Sequence, residues 1–193
     1  MKKFRLHFDK DKEERWLNEM SQKGWAMVEY FAGIYVFAPC KPGEYTYRVD
    51  MPEDFRSSPS WKKNRENNRE YISLVEETGA EYVCGWGWWI FFRKETAKGG
   101  FELYTDIESQ VALYRRIRRL FLMLGVIECC LALQHIANTI LFLASRDDLN
   151  SLGGAKMFLM VFMVSVCFFV AGVIGAFFMM CWKLTRKIRD LQK

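Results

Sequence analysis

The chain has 193 residues, with 28 Lys and Arg against 23 Asp and Glu, a net charge of +5, and 51% hydrophobic residues. Two histidines and six cysteines without a C-x-x-C spacing cannot readily supply the four clustered ligands of a zinc site, so no metal or cofactor is expected. The first 110 residues hold 17 Lys and Arg against 19 Asp and Glu, so the basic pI does not arise from a groove or stripe suited to nucleic acid, and no nucleic acid is expected as a partner.

The opening stretch MKKFRLHFDKDKEER has no apolar core of a signal peptide, so the first domain is expected to stay in the cytoplasm. FRLHFD (Phe4–Asp9) alternates, which predicts a strand with Phe4, Leu6 and Phe8 on the face that meets the helices and Arg5 and His7 on the other. WLNEMSQKGWAMV (Trp16–Val28) then sets Trp16, Leu17 and Met20 on one helical face. Gly24 occupies the slot of a left-handed helix terminator. GIYVFAP (Gly33–Pro39) is a further strand-like run.

The same order then recurs. YTYRVD (Tyr45–Asp50) alternates like the first strand, and YISLVEETGAEYV (Tyr71–Val83) puts Tyr71, Ile72 and Val75 where Trp16, Leu17 and Met20 stood. Gly79 matches Gly24, and WWIFFRK (Trp88–Lys94) matches Gly33–Pro39. The second copy carries an insertion of 14 residues around DFRSSPSWKKNRENN (Asp54–Asn68), expected to be a polar loop leading into a helix start. The predicted fold class is α+β: a duplicated strand–helix–strand–strand cytoplasmic domain over residues 1–105, with repeats at about 4–39 and 45–94 and both helices on one side.

Trp86, Trp88, Trp89, Phe91 and Phe92 make both faces of the last strand apolar. Either the second face is covered by protein as a further core layer, or it lines a groove that accepts a ligand or partner. On the groove reading, the candidate binding residues are Arg5, His7, Arg48, Trp86, Trp89 and Phe91. No catalytic residue is assigned and no enzyme is expected. His7 is the sole histidine before the apolar spans, and the phosphate-loop patterns G-x-x-x-x-G-K-S/T and G-x-G-x-x-G are absent.

Thr105-x-x-Glu108 is a capping box opening a membrane-proximal helix over 106–119. No proline follows before Leu143, so Asp106–Leu143 is expected to form one rod of about 57 Å. A transmembrane hairpin is predicted over 120–182, with spans at 120–143 and 157–182, each able to cross roughly 30 Å of hydrocarbon. Arg115, Arg116, Arg118 and Arg119 precede the first span, and Lys183, Arg186, Lys187, Arg189 and Lys193 lie in the basic tail over 183–193. In the connector Ala144–Lys156, Asp147 and Asp148 offset Arg146 and Lys156. Both termini are therefore expected in the cytoplasm of a multi-pass membrane protein, whose flanking charges meet anionic headgroups of the lipid bilayer. Four of the cysteines fall inside the spans, where a thiol acts as a small apolar group.

In the first span Glu128, Gln134, His135 and Asn138 share about 120° of a helical wheel, and in the second Ser165, Gly172 and Ala176 share about 40°. The polar stripe is expected to hydrogen-bond the other span as bundle glue, the alternative being a site that senses a proton or a partner. Gly172-x-x-x-Ala176 lets helices approach closely, within the hairpin, in a homo-oligomer or against another membrane protein.

FRLHFDKDKEERWLNEMSQKGW, YTYRVD, GWWIFFRK and ELYTDIESQVALYRRIRR resemble the bacterial domain of unknown function 2812 family, over roughly residues 3–119. That resemblance implies a membrane hairpin and an accessory or signalling role, with a PadR-type transcription regulator as a partner, and transfers no site residues. In plan alone, the duplicated unit is similar to gyrase-inhibitor-like small-molecule-binding domains. The expected function is a membrane-anchored cytoplasmic sensor or adaptor that binds a small amphipathic ligand or a protein partner in a regulatory or envelope-stress pathway. The alternative is a structural or accessory subunit of a larger membrane complex, docking through its transmembrane hairpin.

Overall fold

The computed structural model describes residues 1–52, 66, 68–144 and 153–193. Most of the expected insertion at Asp54–Asn68, and most of the expected connector at Ala144–Lys156, lie outside the described residues. The chain divides into two units, Met1–Leu113 and Tyr114–Lys193.

The first unit runs β1 (Lys2–Phe4), α1 (Lys10–Gln22), β2 (Trp25–Phe31), β3 (Ile34–Pro39), β4 (Tyr45–Asp50), α2 (Arg69–Glu76), β5 (Glu81–Trp86) and β6 (Trp89–Glu95). It is a mixed helix and sheet unit with two three-stranded antiparallel sheets, ordered β1-β3-β2 and β4-β6-β5. Asp9 opens α1 by accepting from the amides of Asp11 at 3.1 Å and Lys12 at 3.3 Å, which satisfies donors the first turn leaves free. Gly24 closes α1 at φ +80°, where an added Cβ would stand 3.1 Å from the Cys40 carbonyl oxygen. Gly79 ends the α2 region at φ +83°.

β1 differs from expectation in length and in facing. It stops at Phe4, and Asp9 is taken up as the cap of α1. The register Lys3↔Tyr35 and Phe4↔Ile34 sets Lys3 on the face of buried Tyr35 and Phe4 on the opposite one. Phe4, Leu6 and Phe8 are 70%, 58% and 60% exposed, so the apolar set points out. Inside, Lys3 Nζ reaches Met20 Sδ at 3.6 Å and the Arg5 guanidinium lies 5.1 Å from the Trp16 ring. The reason is space: Trp16, Leu17, Met20, Tyr35 and Phe37 already fill that face. An edge strand can then contribute long aliphatic stems whose charged heads reach water.

α1 also completes the open edge of the second sheet. β4 is an edge strand, and the amides of Tyr45, Tyr47 and Val49 donate to Ser21 Oγ at 3.1 Å, Asn18 Oδ1 at 2.7 Å and Glu14 Oε1 at 2.8 Å. Asn18 Nδ2 returns a bond to the Tyr47 carbonyl at 3.4 Å. Steps of three or four residues on a helix and two on a strand each advance about 5–7 Å, so one helix face matches the edge amide by amide.

β6 is buried on both faces. Phe91 joins Trp16, Leu17, Met27, Tyr35, Tyr47 and Val49 in one cluster, while Ile90 and Phe92 join Ile72, Val75, Ala80 and Phe101 in another. The helices thus serve opposite faces of β6, where one common side was expected. Successive strand residues point in opposite directions, so a fully apolar strand needs a cover on each side.

α3 (Ile107–Ala144) begins in the first unit and continues into the second, where it is joined by α4 (Gly153–Leu191). Its first turn is capped by Asp106, whose Oδ1 accepts from the Ser109 amide at 2.7 Å, one residue later than the expected Thr105. That bond holds the Asp106 carboxyl below its ordinary range. Both helices are long and apolar enough to cross a membrane by length and composition. Within the second unit they meet where Lys187 lies 4.5 Å from the Tyr114 ring, Arg118 Nη1 donates to Thr185 Oγ1 at 3.3 Å, and the Phe121 and Phe177 rings lie 6.0 Å apart.

Candidate functional site

Glu13 stands at helical spacing with Trp16, Leu17 and Met20, so α1 carries a carboxyl into the core, 5% exposed. The Tyr35 hydroxyl donates to its Oε1 at 2.5 Å. Burial pushes the Glu13 carboxyl up to about 7; the Tyr35 bond opposes this, Glu14 adds to it and Lys10 opposes it. Burial and the Glu13 charge in turn push the Tyr35 hydroxyl far above the usual tyrosine range. His7 lies 5.2 Å from the Trp16 ring and 6.2 Å from that of Tyr35. Burial and then the Arg5 charge hold it below the usual histidine range, against Asp9. Its Nε2 is buried with no hydrogen-bond partner among the described residues. The Tyr30 ring sits 4.6 Å from Tyr35. A carboxyl that titrates near neutrality beside a tyrosine hydroxyl can hold or release a proton there.

A second polar cluster forms around Asp50, which is fully buried at the end of β4. Tyr71 donates to its Oδ2 in a short bond, and Tyr104 donates to it at 3.0 Å. The Tyr104 carbonyl accepts from Gln110 Nε2 at 3.1 Å. One carboxylate therefore ties β4, α2 and the segment leading into α3. Burial and the Asp50 charge push the Tyr71 hydroxyl well above its usual range. Neighbouring Arg48 grips Glu102 through Nη2 at 2.5 Å and Nε at 3.2 Å. Glu102 is exposed, so solvent weakens that pair.

The six residues expected to share a groove are divided. Arg5 and His7 lie together over Trp16, whereas Arg48 sits on the second sheet with Glu102. Phe91 is fully buried in the core, and Trp89 packs half-buried against the same cluster. Trp86 is half-buried, its ring 5.9 Å from Tyr30 and 5.8 Å from Phe31. Of the two alternatives for the second face of β6, the protein covering is the one observed. Glu13 and Tyr35 were not anticipated, although the spacing of Glu13 with Trp16, Leu17 and Met20 marks it as a charge on an apolar stripe.

In the long helices, Gln134 Nε2 donates to Asn138 Oδ1 at 3.0 Å within α3, and both side chains are exposed. His135 Nε2 is buried without a partner among the described residues, and Glu128 is half-buried. Ser165 donates to the Val161 carbonyl of its own helix at 2.8 Å. A Cβ at Gly172 would meet nothing within 4 Å, and Ala176 is exposed. Among the described residues, the expected bonding and close packing of these seven residues across the two helices is thus not observed. The close approach occurs at Gly125 instead, where a Cβ would stand 3.7 Å from Phe177 Cβ.

The family described as "Protein of unknown function (DUF2812)" matches residues 9–126, more than half of the chain. No curated protein and no solved structure matches the chain significantly. The matched stretch holds the Asp9 cap, Glu13 with Tyr35, Asp50 with Tyr71 and Tyr104, and the arginines of α3. The chain belongs to this family of proteins of unknown function.

Proposed function

We propose that this protein is a membrane-anchored cytoplasmic sensor or adaptor. Its α3 and α4 form a two-span hairpin, and its mixed unit binds a small amphipathic ligand or a protein partner. The observation that carries this reading is α3 itself, a single helix of 38 residues that starts beside the Asp50–Tyr104–Gln110 linkage and runs on through the apolar segment. A continuous helix transmits displacement where a flexible linker would absorb it. The positive charge at Arg115–Arg119 and Lys183–Lys193 favours cytoplasmic termini. Duplication is supported by the shared strand–helix–strand–strand order and by the third strand lying in the middle of each sheet. Binding is assigned to the aromatic surface of exposed Trp88 and half-buried Trp86 rather than to buried Phe91. A PadR-type regulator is a candidate partner.

In cells, the full chain should stay with the membrane fraction through alkaline carbonate washing, and tags at both ends should resist protease added to intact spheroplasts. Release by carbonate, or cleavage at one end, overturns the anchor. For the adaptor role, pull-down from native membranes should recover a ligand or partner that Trp88→Ala loses. A second reading rests on the outward Gln134–Asn138 pair and the open Gly172, which favour an accessory subunit docking through its hairpin. Asn138→Leu with Glu128→Leu would then release a stoichiometric partner that Trp88→Ala retains.

A further inference from the structure

We propose that one side of the α3–α4 seam, at Arg118 and Thr185, is a binding site for the phosphate of an anionic phospholipid headgroup. The two helices run in opposite directions, since Tyr114 meets Lys187 and Phe121 meets Phe177. Arg118 Nη1 donates to Thr185 Oγ1 at 3.3 Å and so marks one side of their seam. Arg115 lies one turn before Arg118, and Arg189 one turn after Thr185, so both fall on that side. Trp182, Thr185, Arg186, Arg189, Asp190 and Lys193 border a cavity of about 270 Å³.

Charge selects the occupant. No Asp or Glu occurs from Ser109 to Ile127 or from Gly153 to Arg189. Asp190 carries the sole carboxylate side chain bordering the cavity, and Lys193 Nζ lies 3.3 Å from it. Arg115, Arg186 and Arg189 are exposed and form no ion pair among the described residues. With Arg118 they make four guanidiniums against one carboxylate that a lysine already offsets. A guanidinium fork takes phosphate oxygens in pairs. Nothing free remains to receive an ammonium, so a headgroup with phosphate alone is favoured over choline or ethanolamine. Position selects lipid over a soluble phosphate. The apolar runs begin at Leu120 and end at Trp182, so the arginines stand where each run meets polar chain. Trp182, 60% exposed, precedes Thr185 by one turn on the apolar side, the place aromatic residues take at a membrane boundary. Basic clefts between spanning helices hold anionic headgroups in this way. The inference rests on the proposed membrane anchoring, and it assigns the headgroup to one side of the hairpin rather than to the basic flanks at large.

The test is native mass spectrometry of the full chain released from detergent micelles that contain phosphatidylglycerol, phosphatidylcholine or water-soluble glycerol 3-phosphate. The chain should retain phosphatidylglycerol under activation that strips phosphatidylcholine, and should not retain glycerol 3-phosphate. Arg186→Gln with Arg189→Gln should weaken that retention about fivefold for each charge removed. Lys183→Gln with Lys187→Gln, which removes the same charge from the opposite flank of α4, should change it little. Equal weakening by both pairs means diffuse attraction and overturns the site. Equal retention of the two lipids overturns the anionic assignment, and retention of glycerol 3-phosphate overturns the lipid source. A chain that needs detergent yet retains no lipid overturns the site and leaves the spans standing. A chain that stays soluble once detergent is removed overturns the anchoring itself.

Discussion

At Glu13, α1 places a carboxyl among Trp16, Leu17 and Met20, and the Tyr35 hydroxyl supplies its hydrogen bond. The unfolded chain gives up that proton near the ordinary glutamate value, 4.5, whereas the folded chain keeps it until about 7. Folding thus takes up a proton in this window. Its contribution to stability is fully present below the ordinary value and is lost as pH rises through about 7. The loss comes to about 3 kcal/mol. Glu13→Gln, neutral throughout, should flatten this dependence and make the protein more stable than the parent above about pH 7. Thermal unfolding of the detergent-solubilised chain, followed by near-ultraviolet circular dichroism from about pH 5 to 8, checks both points; a parallel fall in the two proteins would contradict the assignment. The inward position of Glu13 is legible in the sequence from its spacing with Trp16. The identity of its partner is not, because Tyr35 reaches it only through the fold. Asp50 is the harder case: its strand position gives no sign that Tyr71 and Tyr104 converge on it.

Among the elements, α1 does more than bury a stripe. Glu14, Asn18 and Ser21 occupy the free amides of β4, so the sheet edge that would otherwise invite another strand is closed by side chains. Asn18→Ala removes the bonds to both the amide and the carbonyl of Tyr47. The expected cost is about 1–2 kcal/mol, with faster hydrogen exchange at Tyr47 and little change in β3. Unchanged exchange at Tyr47 would mean that water replaces Asn18 without loss. The apolar stripe Trp16, Leu17, Met20 is legible from helical spacing, as are Gly24 and Gly79, whose positive φ values follow from local chain reversal. The polar ladder beside that stripe is not legible, since it requires β4 to lie alongside α1. β1 shows the same limit more sharply. Alternation correctly separates Phe4, Leu6 and Phe8 from Arg5 and His7, but alternation alone has no inside or outside.

For the molecule as a whole, burial separates positions that composition treats alike. Phe91 is fully buried while Phe4 is 70% exposed. Phe91→Ala should destabilise the first unit by about 3–5 kcal/mol, whereas Phe4→Ser should leave its unfolding midpoint nearly unchanged. Denaturant titration with a probe in the first unit checks the contrast. If Phe91→Ala leaves the midpoint unchanged, the two-sided core around β6 is wrong.

The sequence by itself determined whatever neighbouring residues settle among themselves: the glycine stops after α1 and α2, the amphipathic stripes, two helices long and apolar enough to cross a membrane, and membership of the family. Tertiary structure alone decided which face of β1 turns inward, that β6 is covered on both sides, and which hydroxyls meet Glu13 and Asp50. These outcomes depend on register between strands distant in the chain. A slip of one residue exchanges the two faces of a strand while leaving its local pattern intact.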